Sequence, residues 1–424
     1  MSAHPRVLVF WLPVLLIGLT ACAGLPAISA NEEETADIQF GPQISMTEHQ
    51  TRVFETIFEH FEENYIYFET SNADWDLLRS EYQAEIDQGL TTAEFNTLMA
   101  KFEAEFSFGE VTYVTREERI QVETGANTPA NGGIGAFISF KAEEIPHVVI
   151  LDVMPGSPAE KSGLRPHDSI VAVDGNAVDL DEGGNIIQKI RGEAGTTVVL
   201  TVRSPGNEER DIEITRAQLN NVGKIKASTL PGTNIGYILM PTLVSTSSIA
   251  EVIEALDEFS QSSDFAGVIL DLRISNGGTD WPIEDMLALF LNDTTIDIYN
   301  RTESQAYPVI GQDLSGSQAV PIVVLVGEHT AGMPEIFAAA IQSTGRGTVI
   351  GSNTAGNIES ISAYPLPNGG QILIASASFR VDGEEEIGVN GLSPEVQIEA
   401  QWDEIQPEAD PVLEQAILSL EVQK

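Results

Sequence analysis

Two stretches of this sequence hold groups that could do chemistry. The first is Glu328-His329-Thr330-Ala331-Gly332-Met333-Pro334-Glu335, where His329 beside Thr330 sets an imidazole base next to a hydroxyl. A hydroxyl nucleophile needs such a base within hydrogen-bond reach. Neighbours at a strand end often point apart, so adjacency alone does not pair them. The second is Gly133-Ile134-Gly135-Ala136-Phe137. Successive backbone N–H groups, with glycines leaving room for close approach, make a concavity suited to a carboxylate. Ser360 and Ser362 are further hydroxyls in the later part of the chain. Metal and thiol chemistry has little to build on. Cys22 is the only cysteine, so there is no internal disulfide, cysteine cluster or spare thiol nucleophile. His49, His60, His147 and His167 have no companions at metal-ligand spacing, and Glu384-Glu385-Glu386 reads as a solvated turn. No metal and no cofactor is expected.

These groups must be held by elements that the hydrophobic pattern reveals. Val53, Phe54, Ile57, Phe58 and Phe61 recur at spacings of three and four, which places them on one helical stripe. Trp75, Leu78, Tyr82 and Ile86 form a second stripe after Asp74. Thr91-Thr92-Ala93-Glu94 is a capping box that opens a third, with Phe95, Leu98, Met99, Phe102 and Phe106. Gly125 to Asn131 has the composition of a linker. Short β runs follow at Val148–Leu151, Ser169–Val173 and Thr197–Val202, with helical pieces at Ser157–Ser162 and Gly184–Ile190. From Ile235 onward strands and helices alternate. Apolar runs at Gly236–Leu239, Val268–Leu270, Ile322–Val326 and Thr348–Ile350 are separated by helices from about Ser247 and over Pro334–Ser343. Continuous apolar strands alternating with helices predict a mainly parallel sheet covered on both faces. Asp410–Leu420 reads as a closing helix.

The glycine loop at 133–137 stands in a larger pattern. Pro155-Gly156-Ser157-Pro158-Ala159, Gly163-Leu164, Asp168-Ser169-Ile170-Val171-Ala172-Val173-Asp174-Gly175, Arg191-Gly192 and Gly195-Thr196 follow it in the order and spacing of a PDZ domain. Farther on come Asp271-Leu272-Arg273 with Asn276-Gly277-Gly278, Gly345-Arg346-Gly347 with Val349-Ile350-Gly351, and Gly391-Leu392-Ser393-Pro394-Glu395-Val396. Taken together these resemble the carboxyl-terminal processing, or tail-specific, proteases. That family cuts peptides with a serine nucleophile activated by a lysine base. The resemblance implies backbone donors for an oxyanion at Gly277, Gly278 and Met333, and peptide binding at Gly133, Ile134, Gly135, Ala136 and Phe137. The family's catalytic residues, however, are not carried over. Its nucleophile run falls on Thr330-Ala331-Gly332-Met333-Pro334-Glu335-Ile336, which puts Gly332 at the serine position. Its lysine loop falls on Ala355-Gly356-Asn357-Ile358, which puts Asn357 at the base position, with Ile361 where the family has a glutamine. A histidine that some relatives use corresponds to Glu110. Glycine offers no attacking atom, and asparagine does not take up a proton near neutrality. Thr330 is the fallback nucleophile, and a structural envelope lipoprotein is the remaining alternative.

Charge and the N-terminus bound the setting. With 64 acidic and 21 basic side chains among 424 residues, the formal net charge is −43. Such a polyanion repels phosphate backbones and anionic headgroups, which argues against a nucleic-acid partner. Arg6 followed by the apolar Val7–Leu19 reads as an export signal. Leu19-Thr20-Ala21-Cys22 resembles a lipobox, with Cys22 the acylated residue, although Ala21-Cys22-Ala23 also fits an ordinary small-x-small cleavage site. The expected organisation is α+β and multidomain. It comprises a signal peptide with lipobox (1–22), a tether (23–46), an N-terminal helical domain (47–121), a PDZ-like αβ module (132–216), an α/β core with a mainly parallel sheet covered by helices (217–402), and a C-terminal helix (403–424). The expected partners are protein C-termini or extended segments, and a membrane reached through the lipid anchor.

Overall fold

The computed structural model describes residues 44–106, 109–123, 131–142, 145–179, 186–219, 224–277, 280–381, 391–406 and 409–422. Cys22 with its lipobox, the tether up to Gln43, most of the linker at 125–131, Gly278 and Glu384-Glu385-Glu386 lie outside the described residues.

The central sheet forms where the apolar runs predict it. Its strands lie in the order Lys226–Thr229, Ile235–Leu239, Gly267–Asp271, Ile322–Val326, Thr348–Gly351, Val396–Gln397. The first pairing is antiparallel and the other four are parallel. Side chains alternate across a strand, so each strand feeds two cores. Val268, Leu270, Val324 and Val326 pack beneath the helices Ser248–Ser260, Ile283–Phe290 and Met333–Ser343. Ile269, Val323, Leu325 and Ile350 face the other way, onto Val412, Ala416 and Leu420 of the helix Pro411–Val422. That closing helix is thus one covering layer of the sheet.

A second sheet goes beyond the sequence expectation. Val111–Val114, Gln371–Val381, Thr294–Tyr299 and Ser304–Val309 pair antiparallel in that order, and Ser360–Pro365 also joins Gln371–Val381. It pairs Val111–Val114, just after the N-terminal helices, with Gln371–Ile374 far along the chain. The aromatic core of the helices Met46–Asn64, Trp75–Ile86 and Thr92–Glu103 continues into Ile372, Ile374 and Ala375. The predicted capping box at Thr91 and Glu94 is present.

The β runs between residues 136 and 215 form a separate sheet in the order Ala136–Lys141, His147–Val153, Ser169–Val173, Thr197–Arg203, Arg210–Thr215. Its own core includes Ile134, Val148, Ile150, Ile170, Val198 and Leu200. The opposite face packs Val149 and Leu151 against Leu239, Ile274, Trp402 and Ile405 of the central unit. A buried polar cluster reinforces that seam. Lys141 Nζ lies 2.8 Å from Glu328 and 3.1 Å from Asp403, while His147 Nε2 lies 2.8 Å from the other Asp403 oxygen.

Candidate active site

The helix Met333–Ser343 starts at the point where the resemblance places the family's nucleophile position, Gly332. The chain leaves the strand Ile322–Val326, turns at Gly327, and pairs Ala331–Gly332 in parallel with Asn276–Gly277. The register sets Gly332 opposite Gly277. Ala331 N–H donates to the Ser275 carbonyl at 3.1 Å. Gly332 has φ +72° and ψ −131°, a conformation that costs a side-chain-bearing residue strain and glycine almost none. Space is closed as well. A Cβ at position 332 would sit 2.3 Å from the Gly277 carbonyl oxygen. Gly277 therefore turns its carbonyl, an acceptor, toward this point.

Glu335 holds the surrounding walls together. Its side chain is fully buried and accepts four hydrogen bonds. Gly332 N–H donates at 2.8 Å, Gly356 N–H at 2.7 Å, Asn357 N–H at 3.0 Å and the Thr354 hydroxyl at 2.5 Å. Burial pushes the carboxyl pKa up, against the pull of those donors. Thr354 extends the link, because its hydroxyl accepts the Leu392 N–H at 2.7 Å. The three segments quoted from the sequence, around 332, 356 and 392, are thereby joined through one carboxylate.

Each remaining candidate has a defined place. Gly332 and Asn357 do meet, with the Asn357 carbonyl oxygen 3.7 Å from the would-be Cβ. The Asn357 residue itself is exposed. The Thr330 hydroxyl is buried and committed twice, donating to the Leu272 carbonyl and accepting Gly327 N–H, each at 2.9 Å. The His329 imidazole is directed elsewhere, with Nε2 3.5 Å from Glu328, and burial lowers its pKa. Ser362 Oγ lies 2.6 Å from Ser376 Oγ on the antiparallel sheet. Glu110, at the alternative base position, is buried and accepts the Tyr65 hydroxyl at 2.7 Å. Burial, then that bond, drives the Tyr65 pKa far above its ordinary value. Met333 is half-buried at the first helical position.

Sequence reasoning did not find Glu359. Its carboxylate accepts the Tyr67 hydroxyl, and burial raises its pKa, with the Glu110 and Glu335 carboxylates adding to the effect. The neighbourhood of Gly332 thus gathers carboxylates where the resembling family places a lysine. No sequence signal marked Glu359, because Tyr67 lies 292 positions away.

The glycine loop at 133–137 is built as a cradle. Gly133 and Ala217 exchange two backbone hydrogen bonds, at 2.9 and 3.0 Å. The carbonyls of Ile134 and Gly135 accept from Ala159 and Met154 N–H, both at 2.8 Å. A planar trans peptide turns its N–H opposite to its carbonyl, so the Gly135 and Ala136 N–H groups point away from those bonds. Gly135, at φ +82°, has no room for a Cβ, which would fall 2.3 Å from Ser157 Cβ. Ala136–Lys141 continues from the loop as an edge strand of its sheet among the described residues.

A helix-started strand loop, a glutamate clamp and an appended sheet with a glycine cradle define a PDZ-bearing peptidase scaffold, and comparison with known proteins gives the same class. Residues 234–398 match peptidase family S41, residues 149–204 match the PDZ domain, and residues 47–103 match the tricorn protease C1 domain. The chain thus carries peptidase S41, PDZ and tricorn C1 domains and is similar to proteins named carboxyl-terminal-processing protease. It is 32% identical over 262 residues to a carboxyl-terminal-processing protease of Picosynechococcus, a match that covers 59% of this chain and 61% of that protein. It is 27% identical over 333 residues to the carboxy-terminal processing protease CtpA of Bacillus subtilis, covering 78% and 69%. Against the curated cyanobacterial relatives the match spans 61% and 62% of their length. Among solved structures, the photosystem II D1 C-terminal processing protease superimposes with a TM-score of 0.61 at 23% identity, covering 88% of this chain and 97% of that one. At that identity the likeness is one of fold.

Proposed function

We propose that this chain is an exported, lipid-anchored member of the family that binds extended or C-terminal peptide segments and holds them without cutting. The observation that carries this reading is the closed position at Gly332. The residue has no side chain, and the Gly277 carbonyl oxygen lies 2.3 Å from where one would begin. Peptide hydrolysis needs an attacker, a proton acceptor and donors for the tetrahedral oxyanion. At this position the attacker is missing, and Asn357 supplies no base. With nucleophile and base both gone, what remains in worked serine proteases is about 10³–10⁴ over water. Thr330 does not replace them, because its proton and one lone pair are already engaged in the buried loop.

Peptide holding is supported by the cradle at 133–137 and by the edge strand that continues from it. Main-chain pairing along such an edge gives affinity, and the N–H groups of Gly135 and Ala136 suit a terminal carboxylate. The anchor reading rests on Leu19-Thr20-Ala21-Cys22. Among the described residues no helix is long and apolar enough to cross a membrane.

The test uses the purified chain and an unstructured fluorescent polypeptide, with its C-terminus either free or amidated. The free form is expected to bind and stay intact, and amidation is expected to weaken binding. Turnover that persists through purification and disappears in Thr330→Val would reverse the reading in favour of a relocated nucleophile. Labelling cells with a radioactive fatty acid addresses the anchor: incorporation is expected in the wild type and not in Cys22→Ala.

A further inference from the structure

Beside Met333 an apolar cleft of about 610 Å³ opens between the helix Ile283–Phe290, the start of the helix Met333–Ser343 and the antiparallel sheet. Its walls include Ile296, Ile298, Val309, Ile336 and Phe379. At its mouth Tyr307 is 44% exposed and Ile310 76% exposed. Glu284 and Asp285, both exposed in the first turn of their helix, complete the rim. The strand Ser304–Val309 runs along the cleft as the last strand of its sheet among the described residues.

We propose that this cleft selects a basic–apolar segment of the held peptide: a leucine-sized side chain enters the cavity, and a neighbouring lysine or arginine meets Glu284 and Asp285. The proposal rests on the peptide-holding reading above and adds the chemistry of what is held. Three observations carry it. The cleft begins one residue from Gly332, so a peptide crossing the closed centre passes over it. Its walls are aliphatic and aromatic, and so reward burial of an apolar side chain. Its two acidic rim residues share one sign and have no cationic side chain facing them among the described lining residues, on a chain of net charge −43. A cation on the ligand is the complement. The edge strand, last of its sheet among the described residues, offers main-chain groups to an extended segment laid alongside.

The test uses three fluorescein-labelled twelve-residue unstructured peptides, all amidated so that the PDZ carboxylate cradle is not engaged. They differ only in a central Leu-Lys, Leu-Glu or Ala-Lys pair. By fluorescence anisotropy with the purified full chain, Leu-Lys is expected to bind about 10-fold tighter than Leu-Glu at low salt. It is expected to bind about 20-fold tighter than Ala-Lys. The first ratio should shrink with added salt, as screening weakens exposed charge pairs. In Glu284→Gln/Asp285→Asn, Leu-Lys and Leu-Glu should converge. In Ile310→Ser both leucine peptides should weaken together. All substituted positions are exposed, and unchanged melting of the variants confirms the fold. Equal binding of Leu-Lys and Leu-Glu, or a preference that survives the double substitution, overturns the inference and leaves peptide holding intact. Binding of free C-termini with no binding of any amidated peptide also overturns it. Cleavage of the bound peptide would sink the non-cutting reading and leave the selectivity of the cleft standing.

Discussion

Restoring the family's catalytic residues should not restore a peptidase. In Gly332→Ser/Asn357→Lys the new serine inherits φ +72° and ψ −131°. A side-chain-bearing residue held in so sparsely populated a region costs about 1–3 kcal/mol. Its Cβ would lie 2.3 Å from the Gly277 carbonyl oxygen, and ordinary carbon–oxygen contacts begin near about 3.3 Å. The strands Asn276–Gly277 and Ala331–Gly332 must then separate by about 1 Å, and overpacking of this kind costs a further 1–3 kcal/mol or so. The expected loss is about 4 kcal/mol, a large share of the roughly 5–15 kcal/mol that a folded domain has. Urea unfolding followed by tryptophan fluorescence reads it as a lower midpoint at unchanged slope. Gly332→Ala isolates the steric part and should lose nearly as much. A fluorophosphonate probe should leave the double variant unlabelled, since a serine forced against the carbonyl at 277 is not held in an attacking geometry. A revertant that keeps wild-type stability and reacts with the probe would refute the reasoning, because the site would then be an open pocket lacking only two side chains.

Other consequences can be measured directly. Glu335→Gln turns an NH₂ group toward N–H donors that now meet a carboxylate, and should cost about 3 kcal/mol or more in urea unfolding. Thr330→Val removes a hydroxyl bonded to the Leu272 carbonyl and the Gly327 N–H, so a stability loss of about 1–3 kcal/mol is expected, with peptide affinity unchanged in anisotropy. The His147–Asp403 pair gives a pH dependence. The bond to Asp403 raises the His147 pKa above its ordinary 6.5, so this contribution is fully present below pH 6.5 and is lost as pH rises through the folded value. Hydrogen bonds and the Lys141 charge hold Asp403 below its ordinary 3.8, so its own share is present above 3.8 and is lost as pH falls toward the folded value. The gap in urea midpoint between wild type and His147→Gln should therefore narrow as pH rises above 6.5; a gap that widens would contradict the sign.

The parallel sheet was legible because its strands are buried on both faces and read as unbroken apolar runs, as Ile322–Val326 does. The glycine loop and its PDZ pattern were legible from turn residues at fixed offsets. The antiparallel sheet was harder. Ser304–Val309 is almost entirely exposed, so no hydrophobic alternation marks it. Gln371–Val381 does alternate over part of its length, yet its partners come from positions near 111, 296 and 362. The same reason hid the closure at the centre. Gly332 could be recognised from its neighbours in the chain, but the carbonyl that fills its side-chain position belongs to Gly277, 55 residues earlier. The Glu359–Tyr67 contact spans still more of the chain.

A chain with glycine at the position of the family's nucleophile need not keep its groove, and Glu335 gives a physical reason why this one would. The carboxylate joins the start of a helix, the loop at 354–357 and, through Thr354, the segment at 392. None of those bonds involves the nucleophile side chain or the base. Glycine at 332 carries little strain at positive φ, and the clamp fixes the walls on either side. Glycine at 332 therefore favours a rigid, closed centre over a collapsed one. Peptide affinity should accordingly depend on Glu335 and be insensitive to Asn357: Asn357→Ala should bind the free C-terminal polypeptide as wild type does, and Glu335→Gln should bind it more weakly while still folded at low temperature. If Asn357→Ala lost affinity, the exposed asparagine would be a working contact of the groove, and the clamp alone would not account for its persistence.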